Sequence, residues 1–180
     1  MLGGVRMANE RTYADWQARM QKVILPKWTE LPNFDLYMDQ VLLLINETLQ
    51  PLGVDPVTAA MINNYVKHKV ILSPIKKKYQ IMQLADIIVI SLLKPSYPLD
   101  KIRQGIDQVT ATGYPKRAYD SFITALTAQL HHLDAPVSIS DQDPSGGLTV
   151  AAAQLIVNKL RTDELLRINQ AQVQPQQIEK

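Results

Sequence analysis

At 180 residues, the chain is the length of one domain with an appended helical piece, and hides about 70% of its unfolded surface on folding without covalent staples. The absence of cysteine excludes a disulfide framework, thiolate-bound zinc and cysteine nucleophiles, and it fits a reducing compartment. A net charge of +2 excludes little, but its distribution is uneven. Between Asp55 and Asp86 there is no acidic residue, while Lys67, Lys69, Lys76, Lys77 and Lys78 fall there with His68. The most apolar run, Leu84 to Leu93, is too short to cross a bilayer and carries Asp86. No N-terminal stretch has a signal-peptide layout, so the expected compartment is cytoplasmic. Met7 offers a second start, which would make residues 1–6 a leader.

In chain order, Tyr13, Trp16, Met20, Val23 and Ile24 keep three-to-four spacing and predict a helix over residues 10–25, ended by Pro26. A second helix comes next, with Tyr37, Val41, Leu44, Ile45, Thr48 and Leu52 on one face, capped by Asp35 or Asp39 and closed by Pro51 and Gly53. A shorter third helix runs from Thr58 to His68. It turns Ala59, Ile62 and Val66 inward, with Tyr65 beside them, and Asn63, Asn64, Lys67 and His68 outward. Val70-Ile71-Leu72, Ser73-Pro74 and Ile75-Lys76-Lys77-Lys78-Tyr79 predict a small hairpin around a Ser-Pro turn. Residues 80–94 are apolar nearly all round and predict a central helix, broken by Pro95 and Pro98. Leu99, Ile102, Ile106 and Val109 mark a fifth helix ending near Gly113, and residues 116–133 a sixth. A loop over Asp134–Gly147 leads to a last helix over 148–168, and the Gln-rich stretch from Gln170 is expected to be disordered.

Residues 39–79 form one unit: an amphipathic helix, a turn, a short helix with a polar outer face, and a hairpin tipped with lysines. That order is the order of a winged helix-turn-helix. Asn63 and Asn64 suit adenine, whose edge an amide pairs in bidentate fashion. Lys67 and Lys69 suit phosphates or guanine, and Lys76, Lys77 and Lys78 suit the sugar-phosphate backbone. Thr58, His68 and Tyr79 complete the expected contact set.

The stretch from Ala59 to Ile106 resembles the MerR family. Ile62 and Tyr65 match its recognition-helix Ile and second Tyr, and Val70-Ile71 its Leu-Leu pair. Pro74 matches its proline, Lys78-Tyr79 its basic–aromatic wing end, and Tyr97 to Ile102 the opening of its next helix. Leu31 to Val41 and Met61 to Lys67 resemble a narrower YkrK-like group from low-GC Gram-positive bacteria. These resemblances imply a mainly α, MerR-like winged helix-turn-helix domain at 31–113. Around it lie an N-terminal leader and helix over 1–30, a C-terminal helical region over 114–169 and a tail over 170–180. They imply a transcriptional regulator that binds double-stranded DNA, expected as a homodimer through the helices beyond residue 114. Asn63 and Asn64 stand where the family carries arginine and tyrosine, and that motivates an alternative: an adaptor or anti-repressor whose lysines meet an acidic protein surface.

No enzyme signature assembles, and neither metal nor cofactor is expected. Ser145-Gly146-Gly147 lacks the lysine of a phosphate-binding loop and reads as a flexible linker. His131 and His132 with Asp134 read as a surface pair, because neighbours on a helix point about 100° apart.

Overall fold

A computed structural model describes residues 12–111, 113–140 and 143–173, with no side-chain description for residues 172 and 173. Among these residues the chain forms seven α-helices and no strand, so the mainly α expectation holds in its coarse form. The helices are α1 (Tyr13–Met20), α2 (Met38–Leu49), α3 (Ala59–Lys67), α4 (Ile81–Leu93), α5 (Leu99–Thr110), α6 (Pro115–His131) and α7 (Pro144–Val173). Short 3-10 turns occupy Trp28–Glu30 and Gln50–Leu52.

A reciprocal cap starts α1. The Thr12 hydroxyl accepts from the Asp15 amide at 3.2 Å, and the Asp15 carboxylate accepts from the Thr12 amide at 2.9 Å. Those bonds hold the Asp15 carboxyl below its ordinary range. The helix stops at Met20, short of the expected residue 25. Val23 and Leu25 are each 3% exposed while Ile24 is 80% exposed, the two-residue alternation of extended chain rather than the helical period. In α2, Gln40 rather than Asp35 or Asp39 satisfies the first turn, accepting from the Tyr37 amide at 2.9 Å.

Helix α4 is the centre of the molecule, as its all-round apolar sequence requires. Leu84, Ile87, Ile88 and Ile90 are fully buried along it. Helix α2 packs on α4 from one side, and α5 and α7 contact it as well. Helices α6 and α7 pack against each other, and α7 also reaches α1 and α5. Ala153, Ile156, Val157 and Leu160 form the buried stripe of α7, while Phe122, Ile123, Leu126 and Leu130 form that of α6.

The segment between α1 and α2 is clamped to α6. The Trp28 amide donates to Asp120 Oδ1 at 2.7 Å, Lys27 Nζ donates to the Asp120 carbonyl at 2.9 Å and to the Thr124 hydroxyl, and the Tyr119 hydroxyl donates to the Pro26 carbonyl at 3.0 Å. Burial pushes the Tyr119 phenol far above its ordinary range, and the Asp120 and Glu30 carboxylates push it further.

Helix α7 begins four residues earlier than expected. The Asp143 carboxylate accepts from the Gly146 amide at 2.9 Å, and the Asp143 carbonyl accepts from the Gly147 amide at 2.8 Å. Ser145-Gly146-Gly147 is therefore the first turn of a capped helix, not a flexible linker. Gln170 to Val173 are helical where disorder was expected. The expected leader and the remainder of the tail lie outside the described residues. Among the described residues no helix is long and apolar enough to cross a membrane.

Candidate nucleic-acid interface

Helix α3 is held in place from both ends. At its start the Asn46 side chain of α2 brackets Val57, accepting from its amide at 2.7 Å and donating to its carbonyl at 3.0 Å. The Thr58 hydroxyl then caps α3, accepting from the Met61 amide at 3.3 Å. Ile62 and Tyr65 are fully buried beneath the helix. Ala60, Asn63 and Lys67, spaced three and four apart, are exposed along its outer side and stay uncovered by α6 and α7. The link from Gln50 to Thr58 contains a 3-10 turn and the left-handed Gly53 (φ +73°), so it is longer than the few-residue turn expected between the two helices.

The far end of α3 closes on lysine. Lys69 adopts φ +55°, the Val70 amide bonds the Tyr65 carbonyl at 2.8 Å, and the Lys69 amide bonds the Val66 carbonyl at 2.9 Å. This is the Schellman pattern, with lysine at the left-handed position that usually belongs to glycine. Arg103 of α5 then anchors the exit, donating to the Val70 carbonyl at 3.1 Å and to Asp86 of α4 at 3.1 Å. Gln83, only 5% exposed, donates to the Leu72 and Ser73 carbonyls at 3.3 Å each, fastening the next stretch to α4.

The expected hairpin wing is absent. Val70 and Ile71 are buried core residues rather than a strand, and Ser73-Pro74 is not the turn. The chain instead reverses at Lys76-Lys77, where Ile75 and Lys78 exchange backbone hydrogen bonds at 3.0 and 2.9 Å. Both central residues have positive φ, 52° and 64°, the geometry of a type I′ turn, which normally selects Asn-Gly. A second single bridge pairs Tyr79 with Leu36 through bonds of 2.8 and 2.9 Å. The ladder stops at single bridges because its next hydrogen-bonded pair would be Ser73 with Gln80, and the Gln80 amide donates instead to Gln83 Oε1 at 2.6 Å while the Ser73 carbonyl accepts from Gln83 Nε2 at 3.3 Å.

The ten expected contact residues therefore separate. Thr58, Asn63, Lys67, His68, Lys69, Lys76 and Lys77 are exposed, and Asn64 is half-buried. Lys78 is half-buried with its ammonium 5.3 Å from the Tyr37 ring centroid. Tyr79 is 3% exposed and belongs to the core. Asn64 and His68 look onto an open concavity whose other wall carries Asp100, Arg103 and Asp107. Sequence reasoning missed Asn46, Gln83 and Arg103, the three side chains that position α3 and the segment leading from it to α4. Away from this face, His131 donates from Nε2 to the Val23 carbonyl at 2.8 Å. Among the described residues no cluster of three or more His, Asp or Glu side chains offers a metal site.

No curated protein and no solved structure matches the chain. A family described as Domain of unknown function (DUF1836) matches residues 26–122, from the clamped segment before α2 into the first half of α6. That match covers the whole stretch that carries the MerR-like and YkrK-like resemblances, and nothing places the chain in the MerR family. The MerR-like resemblance rests on single aligned side chains and on a wing that does not form, and the stretches read as YkrK-like, Leu31 to Val41 and Met61 to Lys67, fall within the DUF1836 match instead. The match spans more than half of the sequence, and the chain belongs to the DUF1836 family.

Proposed function

We propose that this protein is a sequence-specific regulator that binds double-stranded DNA, with α3 entering the major groove and the Lys76-Lys77 turn resting on flanking phosphates. The observation that carries this reading is backbone strain placed under charge. Among the described residues, the non-glycine residues at positive φ are Lys69, Lys76 and Lys77. A left-handed lysine costs about 1–2 kcal/mol against a glycine there, and strain of this kind collects at functional sites. Three ammonium groups held at that cost, in an interval free of acids, suit a polyanion. The exposed amide of Asn63, one turn from Lys67, suits base edges. Because Asp100 and Asp107 lie across the concavity from Asn64 and His68, a duplex would approach along the Asn63–Lys67 side. A homodimer doubles the contact set, and Leu165 and Leu166, exposed near the end of α7, are its proposed seam.

Selection of bound sites from random duplex DNA at two salt concentrations tests the reading. Enrichment of one motif is expected. Lys77→Ala should weaken binding across sequences alike and lower the log–log salt slope by about 1. Asn63→Ala should relax base choice at one position. No enriched site at moderate salt would overturn it, and a light-scattering mass of one chain on bound DNA would remove the dimer. A second reading, an adaptor that docks on an acidic protein, is favoured by the exposed Phe34, Leu72 and Ile75 side chains near the lysines.

A further inference from the structure

Helices α4, α5, α6 and α7 line a partly open cavity of about 390 Å³. Packed interiors leave few voids larger than a water molecule, and this one falls in the size range of small-ligand sites, about 300–1,000 Å³. Its walls include Trp28, Val89, Ile106, Tyr119, Phe122 and Ala152. Small residues keep it open. Gly105, in the middle of α5, lines it, and a Cβ added there would meet no heavy atom within 4 Å. Ala118 lines it from α6.

The charges on the lining decide what would fill it. Asp86 is paired with Arg103 at 3.1 Å, a guanidinium it shares with Asp107 at 2.8 Å. Lys101, on the exposed side of α5, donates to the amide oxygen of Gln104 at 3.2 Å. An apolar chamber with one cation at its edge suits an apolar body ending in an anion.

We infer that this cavity binds a small monocarboxylate with an aliphatic or arylalkyl body, the carboxylate meeting Lys101 and the body lying between α4, α5 and α6. The site stands whatever α3 contacts, and its test contains no DNA, so its failure is separate from failure of the regulator reading.

The test is calorimetric titration of the full chain with hexanoate, decanoate, phenylbutyrate and decanol, each below its aggregation limit. Decanoate should bind at one molecule per chain, with decanol at least about tenfold weaker, the worth of one charge-assisted hydrogen bond. Lys101→Met should bring decanoate down to decanol. Gly105→Leu should abolish binding with helical circular dichroism retained, and Ala118→Leu carries the same test from the opposite wall if Gly105→Leu does not fold. No binding by any carboxylate, equal binding of decanoate and decanol, or undiminished binding by a folded cavity-filled variant would overturn the inference.

Discussion

Arg103 Nη1 lies 3.1 Å from Asp86 Oδ2, and the same nitrogen donates to the Val70 carbonyl just past the end of α3. One guanidinium thus ties three parts of the fold, and its Nε donates to Asp107 at 2.9 Å on its own helix. Removing one member of a largely buried pair costs about 3 kcal/mol because the other charge is left without its counter-ion. Arg103→Met should lower stability by about that amount in urea unfolding. It should also speed amide exchange at Val70 and Ile71.

Burial raises the Asp86 carboxyl above 3.8, Arg103 offsets part of that, and Asp107 adds to it. A folded value above the unfolded one means that the folded state holds the proton more tightly. The stability from Asp86 is therefore fully present below pH 3.8 and is lost as pH rises through the folded value. Relative to Asp86→Asn, the wild type should lose stability across that window. Asp15 has the opposite sign, since Thr12 lowers its carboxyl below 3.8: its contribution is present above that pH and lost as pH falls through the folded value. Urea unfolding of both asparagine variants between acid and neutral pH reads the two signs.

Replacing Lys76-Lys77 with Asn-Gly gives the turn the residues its dihedrals favour. The double variant should be more stable by about 1–2 kcal/mol and should bind DNA with a log–log salt slope shallower by about 2. An unchanged slope would show that the turn does not rest on phosphates.

Lys69→Gly makes the same separation at the end of α3. Glycine fits the left-handed cap, so the melting midpoint should rise with a gain of about 1 kcal/mol. DNA affinity should fall, with a slope change of about 1. A gain in stability at unchanged affinity would assign Lys69 to the fold alone.

Asn46→Ala removes both bonds to Val57 and leaves a half-shielded backbone amide and carbonyl unmet. A loss of about 2 kcal/mol is expected, together with faster exchange of the Val57 amide. Slower exchange at that amide would contradict the bracket.

All the predicted helices are present, because burying one face imposes a three-to-four spacing that is visible in the chain: Val41 and Ile45, Ile62 and Tyr65, Phe122 and Leu126. Most differences lie at ends and links. Val23 and Ile24 stand three and four residues after Met20 and satisfy a helical spacing on paper, yet the extended chain buries Val23 and Leu25 through alternation and exposes Ile24, and five residues are too few to separate the periods. Val70 and Ile71, apolar and β-branched, look like the strand of a wing but serve as the hydrophobic close of α3. Tyr79 reads as a surface residue from its place beside Lys78, and only the pairing with Leu36 turns it inward.

Within the sequence alone, helix number and order, the central place of residues 80–94 and the acid-free lysine interval were already determined, since each depends on periodicity or composition over neighbouring positions. The tertiary structure alone decided which lysines take left-handed backbone, that Asn46, Gln83 and Arg103 hold the α3 unit, and that α4 to α7 enclose a chamber. Those depend on residues tens of positions apart meeting in space, and a bond such as Arg103 to Val70 leaves no local pattern in the chain.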